Sequence, residues 1–225
     1  MVARLPITPA YLGVMEVAAL SARELGTVAK RTAASLRAGA VVLIPTDTVY
    51  GLAVAVDVGG EALARVKRRD PDKPIAVLVA EPPDGLAMFE AASAAVSNLA
   101  QAGWPGPLTL VGRAGPDAPQ AAVTPHGTIG VRCPADAFVH QLATLVGPLS
   151  VTSANLAGNQ PMCSLAGLDE ANLANRWPEL SNVALAVDGG ELPGAPSTVV
   201  DVTGDQPRIV RAGPVDEATL REWWG

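Results

Sequence analysis

Short apolar runs that stop at clusters of hydroxyls constrain this chain most, and the sharpest case is Leu43-Ile-Pro-Thr-Asp-Thr-Val-Tyr-Gly-Leu52. The run from Ala40 to Ile44 reads as a buried strand. It stops at Pro45, which has no N–H for a sheet ladder. Thr46, Asp47, Thr48 and Tyr50 then share a short bend, and Gly51 releases the chain into a second apolar run, Leu52 to Val56. Polar groups gathered where a strand ends suit a site mounted on a rigid scaffold. They suit equally a tight turn whose Thr and Asp cap their own backbone. These ten residues leave both readings open.

The same grammar recurs along the 225 residues. Apolar spacing over 22–38 (Leu25, Val28, Ala29, Thr32, Ala33, Leu36) predicts a helix, with Gly39 as its terminator. Strands are expected at 40–44, 51–56, 75–80, 108–111, 128–132, 148–151, 183–187, 197–202 and 207–210. Further helices are expected at 61–67, 91–102, 136–145, 165–174 and 215–223. Trp104-Pro-Gly-Pro makes a rigid elbow, and 113–127, rich in Pro, Gly and Ala, a loop. Residues 1–21 read as an N-terminal extension and 22–225 as one α/β domain. Short connections between many strands predict a mixed sheet rather than a wholly parallel one.

Composition removes several function classes. With 49% hydrophobic but only 4% aromatic residues, Val, Ala and Leu must fill the interior. A net charge of −6 repels a nucleic-acid backbone, so no stable nucleic-acid binding is expected without a local basic face. Cys133 and Cys163 form no CxxC, His126 and His140 match no zinc spacing, and two free thiols in a cytoplasmic protein are expected. The first residues do not resemble a signal peptide, and no run approaches the roughly 18 apolar residues of a membrane helix. GxxxxGK[ST], GxGxxG and GxSxG are all missing, which removes the main support for P-loop, Rossmann and α/β-hydrolase readings.

What remains is a set of cations and hydroxyls without an evident nucleophile. Lys67, Arg68, Arg69 and Lys73 crowd one turn before a buried strand, where they form either a solvated face or a polyphosphate grip. Thr152, Ser153 and Asn155 follow an apolar strand, as an N-cap or as anion donors. Thr128 and Arg132 share a strand face by period two, although a surface Arg132 would also fit. Ser197 and Thr198 open one strand, and Arg211 ends another. Such a collection suits positioning an anionic substrate and stabilising charge at a transferring phosphorus.

Thr46-Asp-Thr-Val-Tyr-Gly, Lys67-Arg-Arg, Trp104-Pro-Gly-Pro-Leu-Thr, Val131-Arg132, Ser153-Ala-Asn, Ser197-Thr-Val-Val-Asp and Arg211-Ala-Gly-Pro occur here in one order. Over about residues 22–214 that order resembles the YrdC-like family, the threonylcarbamoyl-AMP synthases of TsaC type. The resemblance implies a single-domain YrdC-like fold: a twisted, mostly mixed sheet with surrounding helices and a large basic cavity. It implies the reaction of L-threonine, bicarbonate and ATP to threonylcarbamoyl-AMP, diphosphate and water, for t6A at tRNA position 37. Position by position, Lys67, Arg69, Ser153 and Asn155 match the family's catalytic Lys-x-Arg…Ser-x-Asn set. Arg69, Lys73, Thr128, Ser153 and Arg211 match nucleotide-contacting places, with Mg²⁺ held mainly by the phosphates and no protein metal site. Thr48, Arg132 and Ser197 match threonine-holding places, and handover of product to the t6A transferase complex is implied. Two departures stand out. Leu78 replaces a His of the long members, and the usual Lys-Gly-Arg-Pro is here Lys67-Arg68-Arg69-Asp70. Alternatives are carbamoyl-adenylate chemistry on another acceptor, or a non-catalytic RNA-binding module.

Overall fold

The computed structural model describes residues 16–58, 63, 75–155, 159–166 and 183–225. Its strands are β1 (Glu16–Ala19), β2 (Val41–Ile44), β3 (Gly51–Ala55), β4 (Ala76–Leu78), β5 (Leu108–Arg113), β6 (Thr128–Arg132), β7 (Leu149–Ser153), β8 (Val183–Asp188), β9 (Thr198–Asp201) and β10 (Arg208–Arg211). They join in one sheet, ordered β1-β8-β2-β3-β7-β4-β6-β5-β9-β10. β1/β8, β2/β8, β4/β6 and β5/β9 run parallel, and the other neighbours run antiparallel, so the sheet is mixed as expected.

The helices are α1 (Leu25–Arg37), α2 (Pro82–Ala87), α3 (Ala94–Gly103), α4 (Ala137–Val146) and α5 (Glu217–Trp224). Val28, Ala29, Thr32, Ala33 and Leu36 form the buried stripe of α1, and Gly39 at φ 80° turns the chain out of it. Asp136 caps α4 by accepting from the Val139 N–H at 2.8 Å, and Arg37 ties α1 to α4 by donating to the Leu145 carbonyl. Two elements lie where the sequence reading places none. β1 pairs with β8 as an edge strand, so residues 16–19 join the sheet. α2 begins on Pro82, whose missing N–H costs nothing in a first helical turn. Residues 61–67 (apart from Leu63) and 167–174, where two helices are expected, lie outside the described residues.

Register explains where the open space falls. Leu185, Val42, Ala53, Val151, Ala76, Gly130 and Val111 are successive cross-strand partners, so they form one row on one face. At its β8-β2-β3-β7 end that face packs under α1 and α4, through Val28, Leu36, Phe138 and Leu142. Beyond β7 no helix among the described residues covers this face, and the small Ala76 and Gly130 stand on a hollow. The opposite face of β4, β6, β5 and β9 is filled by Val77, Val131, Leu110 and Val200 against α3 and α5.

Candidate active site

A concavity of about 520 Å³ occupies the uncovered part of the face, lined by Val151, Ala76, Gly130, Val111 and Val199. Polar groups enter from the strand ends: Thr46, Thr48 and Tyr50 from the β2–β3 bend, Ser153 from β7, Arg132 from β6, Thr109 from β5, and Ser197 and Arg211 from the last two strands. Of the residues singled out in the sequence, Thr48, Arg132, Ser153, Ser197 and Arg211 are brought together here. Thr128 is on the same face of β6, but its hydroxyl pairs with Thr124 at 2.7 Å outside this lining. Asn155 stands one step back, accepting from the Ser153 hydroxyl at 2.7 Å and donating to the Asn159 carbonyl at 2.7 Å. Lys67, Arg69 and Lys73 lie outside the described residues.

Arg132 is not a surface side chain; the residue is 5% exposed. Its Nε donates to the Gly106 carbonyl at 2.9 Å, Nη1 to the Thr48 hydroxyl at 3.1 Å, and Nη2 to Asp47 Oδ1 at 2.5 Å. Burial pulls the guanidinium below its usual pKa, while Asp47 pushes the other way and favours the charged form. Thr46 donates its single proton to the Val49 carbonyl at 2.7 Å. Its oxygen accepts the Thr48 and Val49 backbone N–H groups, both at 3.2 Å, and lies 3.0 Å from the Thr48 hydroxyl. Thr48 accepts from Arg132 and so ties the Thr46 turn to the guanidinium.

Tyr50 locks this bend to the end of β8. Its phenol donates to the Gly190 carbonyl at 2.8 Å and accepts from the Gly189 N–H at 3.0 Å. Burial, with Asp188 nearby, pushes its pKa up to about 12, so the phenol stays neutral. On the far side Arg211 donates to the Ser197 carbonyl at 2.8 Å and to its hydroxyl at 3.0 Å, and Thr109 meets that hydroxyl at 2.8 Å. Gly213 closes this corner: a Cβ there would sit 2.4 Å from the Thr198 nitrogen. Thr109 and Asp47 were missed as site residues. Each works through a partner more than 80 positions away, which no local motif signals.

No nucleophile emerges among the described residues. The Ser153 proton goes to an amide oxygen, which is not a general base. Cys133 is a free, buried thiol whose pKa burial pushes up to about 11. Described residues include no group of three His, Cys, Asp or Glu able to hold a metal, and no helix long and apolar enough to cross a membrane. The arrangement can bind and orient anions with a fixed guanidinium, a second arginine and fixed hydroxyls.

A protein-family profile described as Sua5/YciO/YrdC, telomere recombination, matches residues 34–213. A Mycobacterium leprae protein named putative threonylcarbamoyl-AMP synthase is 37% identical over 194 residues, 85% of this chain and 86% of its own length. The human threonylcarbamoyl-AMP synthase is 35% identical over 198 residues, covering 83% of this chain and 67% of the human one. Among solved structures, Pyrococcus abyssi Sua5 complexed with L-threonine superposes with a TM-score of 0.80 at 26% identity over 94% of this chain, which spans 61% of that protein. Escherichia coli YciO shares the fold, with a TM-score of 0.76 at 22% identity over 92% of this chain and 99% of its own. With most of its length matched by the profile and by these relatives, the chain belongs to the Sua5/YciO/YrdC family.

Proposed function

We propose that this chain is an L-threonylcarbamoyladenylate synthase that converts L-threonine, bicarbonate and ATP to threonylcarbamoyl-AMP, diphosphate and water for t6A formation in cytoplasmic tRNA. The observation that carries the reading is Arg132, a buried guanidinium held in one plane on an open concavity that also holds Ser153, Ser197 and Arg211. The relatives named for this activity, and the Pyrococcus fold with L-threonine bound, support it.

In this reading Arg132 takes the threonine carboxylate, and Thr48 helps to hold the amino acid. The amine, unprotonated, forms an N–C bond to the bicarbonate carbon, and water departs. An oxygen of the resulting carbamate attacks the α-phosphorus, the P–O bond to the leaving group breaks, and diphosphate departs. Arg211, with Lys67, Arg69 and Lys73, offsets the charge growing on phosphoryl and leaving group. Ser153, Asn155 and Thr128 contact the nucleotide. Mg²⁺ would take most of its ligands from the phosphates and water and would share the task of offsetting that charge. Catalysis is then positioning and electrostatics without a covalent enzyme intermediate.

Mass spectrometry after incubation with ATP, bicarbonate, Mg²⁺ and single amino acids tests this. The expected result is threonylcarbamoyl-AMP and diphosphate, with threonine the preferred amino acid. An adenylate formed only on a different acceptor would move the assignment to carbamoyl-adenylate chemistry of another kind, and no adenylate at all would remove it.

A further inference from the structure

We propose that Asp47 is a positioning residue: it fixes the roll of the Arg132 guanidinium and, by pairing its charge, keeps polyphosphate off the amino-acid end of the concavity. The inference rests on the functional reading above. Asp47 stands behind Arg132 rather than on the lining. One carboxylate oxygen takes Nη2 at 2.5 Å, and the other accepts from the Ala135 backbone N–H at 3.1 Å. The two side chains are only 12% and 6% exposed.

A guanidinium carries five N–H groups in one plane. Gly106, Thr48 and Asp47 take one each from Nε, Nη1 and Nη2, so contacts from separate chain segments set that plane. One N–H on each Nη has no partner among the described residues, and these are the donors an incoming carboxylate meets. Without the Asp47 charge the guanidinium loses its one ionic anchor, and its roll is held by neutral partners alone.

Charge gives Asp47 its second effect. The concavity must receive a monocarboxylate and a triphosphate, and any cation in it attracts the triphosphate more. Arg132 and Arg211 arise from strands three spacings apart, about 14 Å at the backbone, and both side chains reach the same concavity. Asp47 leaves Arg132 as a hydrogen-bonding fork with little net charge. Such a fork orients a carboxylate but gains too little from a polyphosphate to offset stripping its water.

Steady-state kinetics of the full-length Asp47→Asn protein test this. The KM for threonine should rise at least about tenfold, while kcat and the KM for ATP stay within about twofold. Inorganic diphosphate should become competitive with threonine, and should not be so in the unsubstituted protein. A scaffolding role would lower the active fraction, hence kcat, at unchanged threonine KM, and that result overturns the proposal. Should Asp47→Asn fail to fold, the Asp47→Asn/Arg132→Gln double variant replaces the ion pair by two neutral amides. Its threonine KM should equal that of Arg132→Gln alone within about twofold, because Asp47 acts only through Arg132, and an additive loss overturns the proposal. An unsubstituted protein that makes no adenylate overturns the functional reading and this inference together, whereas an unchanged KM in an active enzyme overturns this inference alone.

Discussion

At the scale of single residues, Leu78 stands beside Arg132 in the sheet. The two are direct partners on parallel β4 and β6, and both line the concavity. An amino acid whose carboxylate rests on Arg132 therefore has its side chain within reach of Leu78. L-Serine could use the same clamp and hydroxyls, so only the γ-methyl separates the two substrates. One methyl in an apolar pocket discriminates by about 1–3 kcal/mol, roughly 10- to 200-fold. We expect L-threonine to be preferred with measurable turnover of L-serine, and Leu78→Ala to narrow the ratio of kcat/KM values. Serine equal to threonine in the unsubstituted protein would make another acceptor the leading assignment. Thr48, Arg132, Ser153, Ser197 and Arg211 drew attention in the sequence because each flanks an apolar run, and the concavity gathers these five. Their pairing was not legible there: Asp47 reads as one more turn former, and only the approach of β6 to the β2–β3 bend makes it the anion behind Arg132.

At the scale of elements, the helices with a clear apolar stripe and the strands with continuous apolar runs lie close to where their periodicity puts them. The exceptions have physical reasons. Three of the four residues of β1 are exposed, so its run carries no burial signal. Pro82-Pro-Asp-Gly in α2 reads as a turn by propensity, yet Gly85 is needed where Trp104 packs, 2.9 Å from a Cβ built there. Strand order was illegible, since β9 returns to pair with β5, placing Leu108 beside Thr198. Such distant pairings depend on Gly213, which lets the chain after β10 lie on the backbone that opens β9. Gly213→Ala should displace Ser197 and lower kcat/KM at least about tenfold, since misplacement of this order has large catalytic cost. Gly204→Ala, with nothing within 4 Å of the added carbon, is the control and should change neither activity nor melting temperature.

At the scale of the whole molecule, the net charge of −6 and the two arginines that line the concavity, Arg132 and Arg211, separate two tasks. Small anions can be held inside while nucleic acid is repelled outside. We expect purified tRNA to leave turnover unchanged and to show no retention at physiological salt in a mobility assay. Binding that weakens steeply with salt would instead support the RNA-module alternative. The lining comes from strands β7-β4-β6-β5-β9-β10, and its polar residues run from Thr46 to Arg211. A slip of one residue in any of those strands would turn its alternate side chains to the opposite face. Nascent or misassembled chains should thus be inert rather than slow, and they could not consume ATP unproductively. In any preparation, the initial rate at saturating substrate is then proportional to the number of correctly assembled molecules.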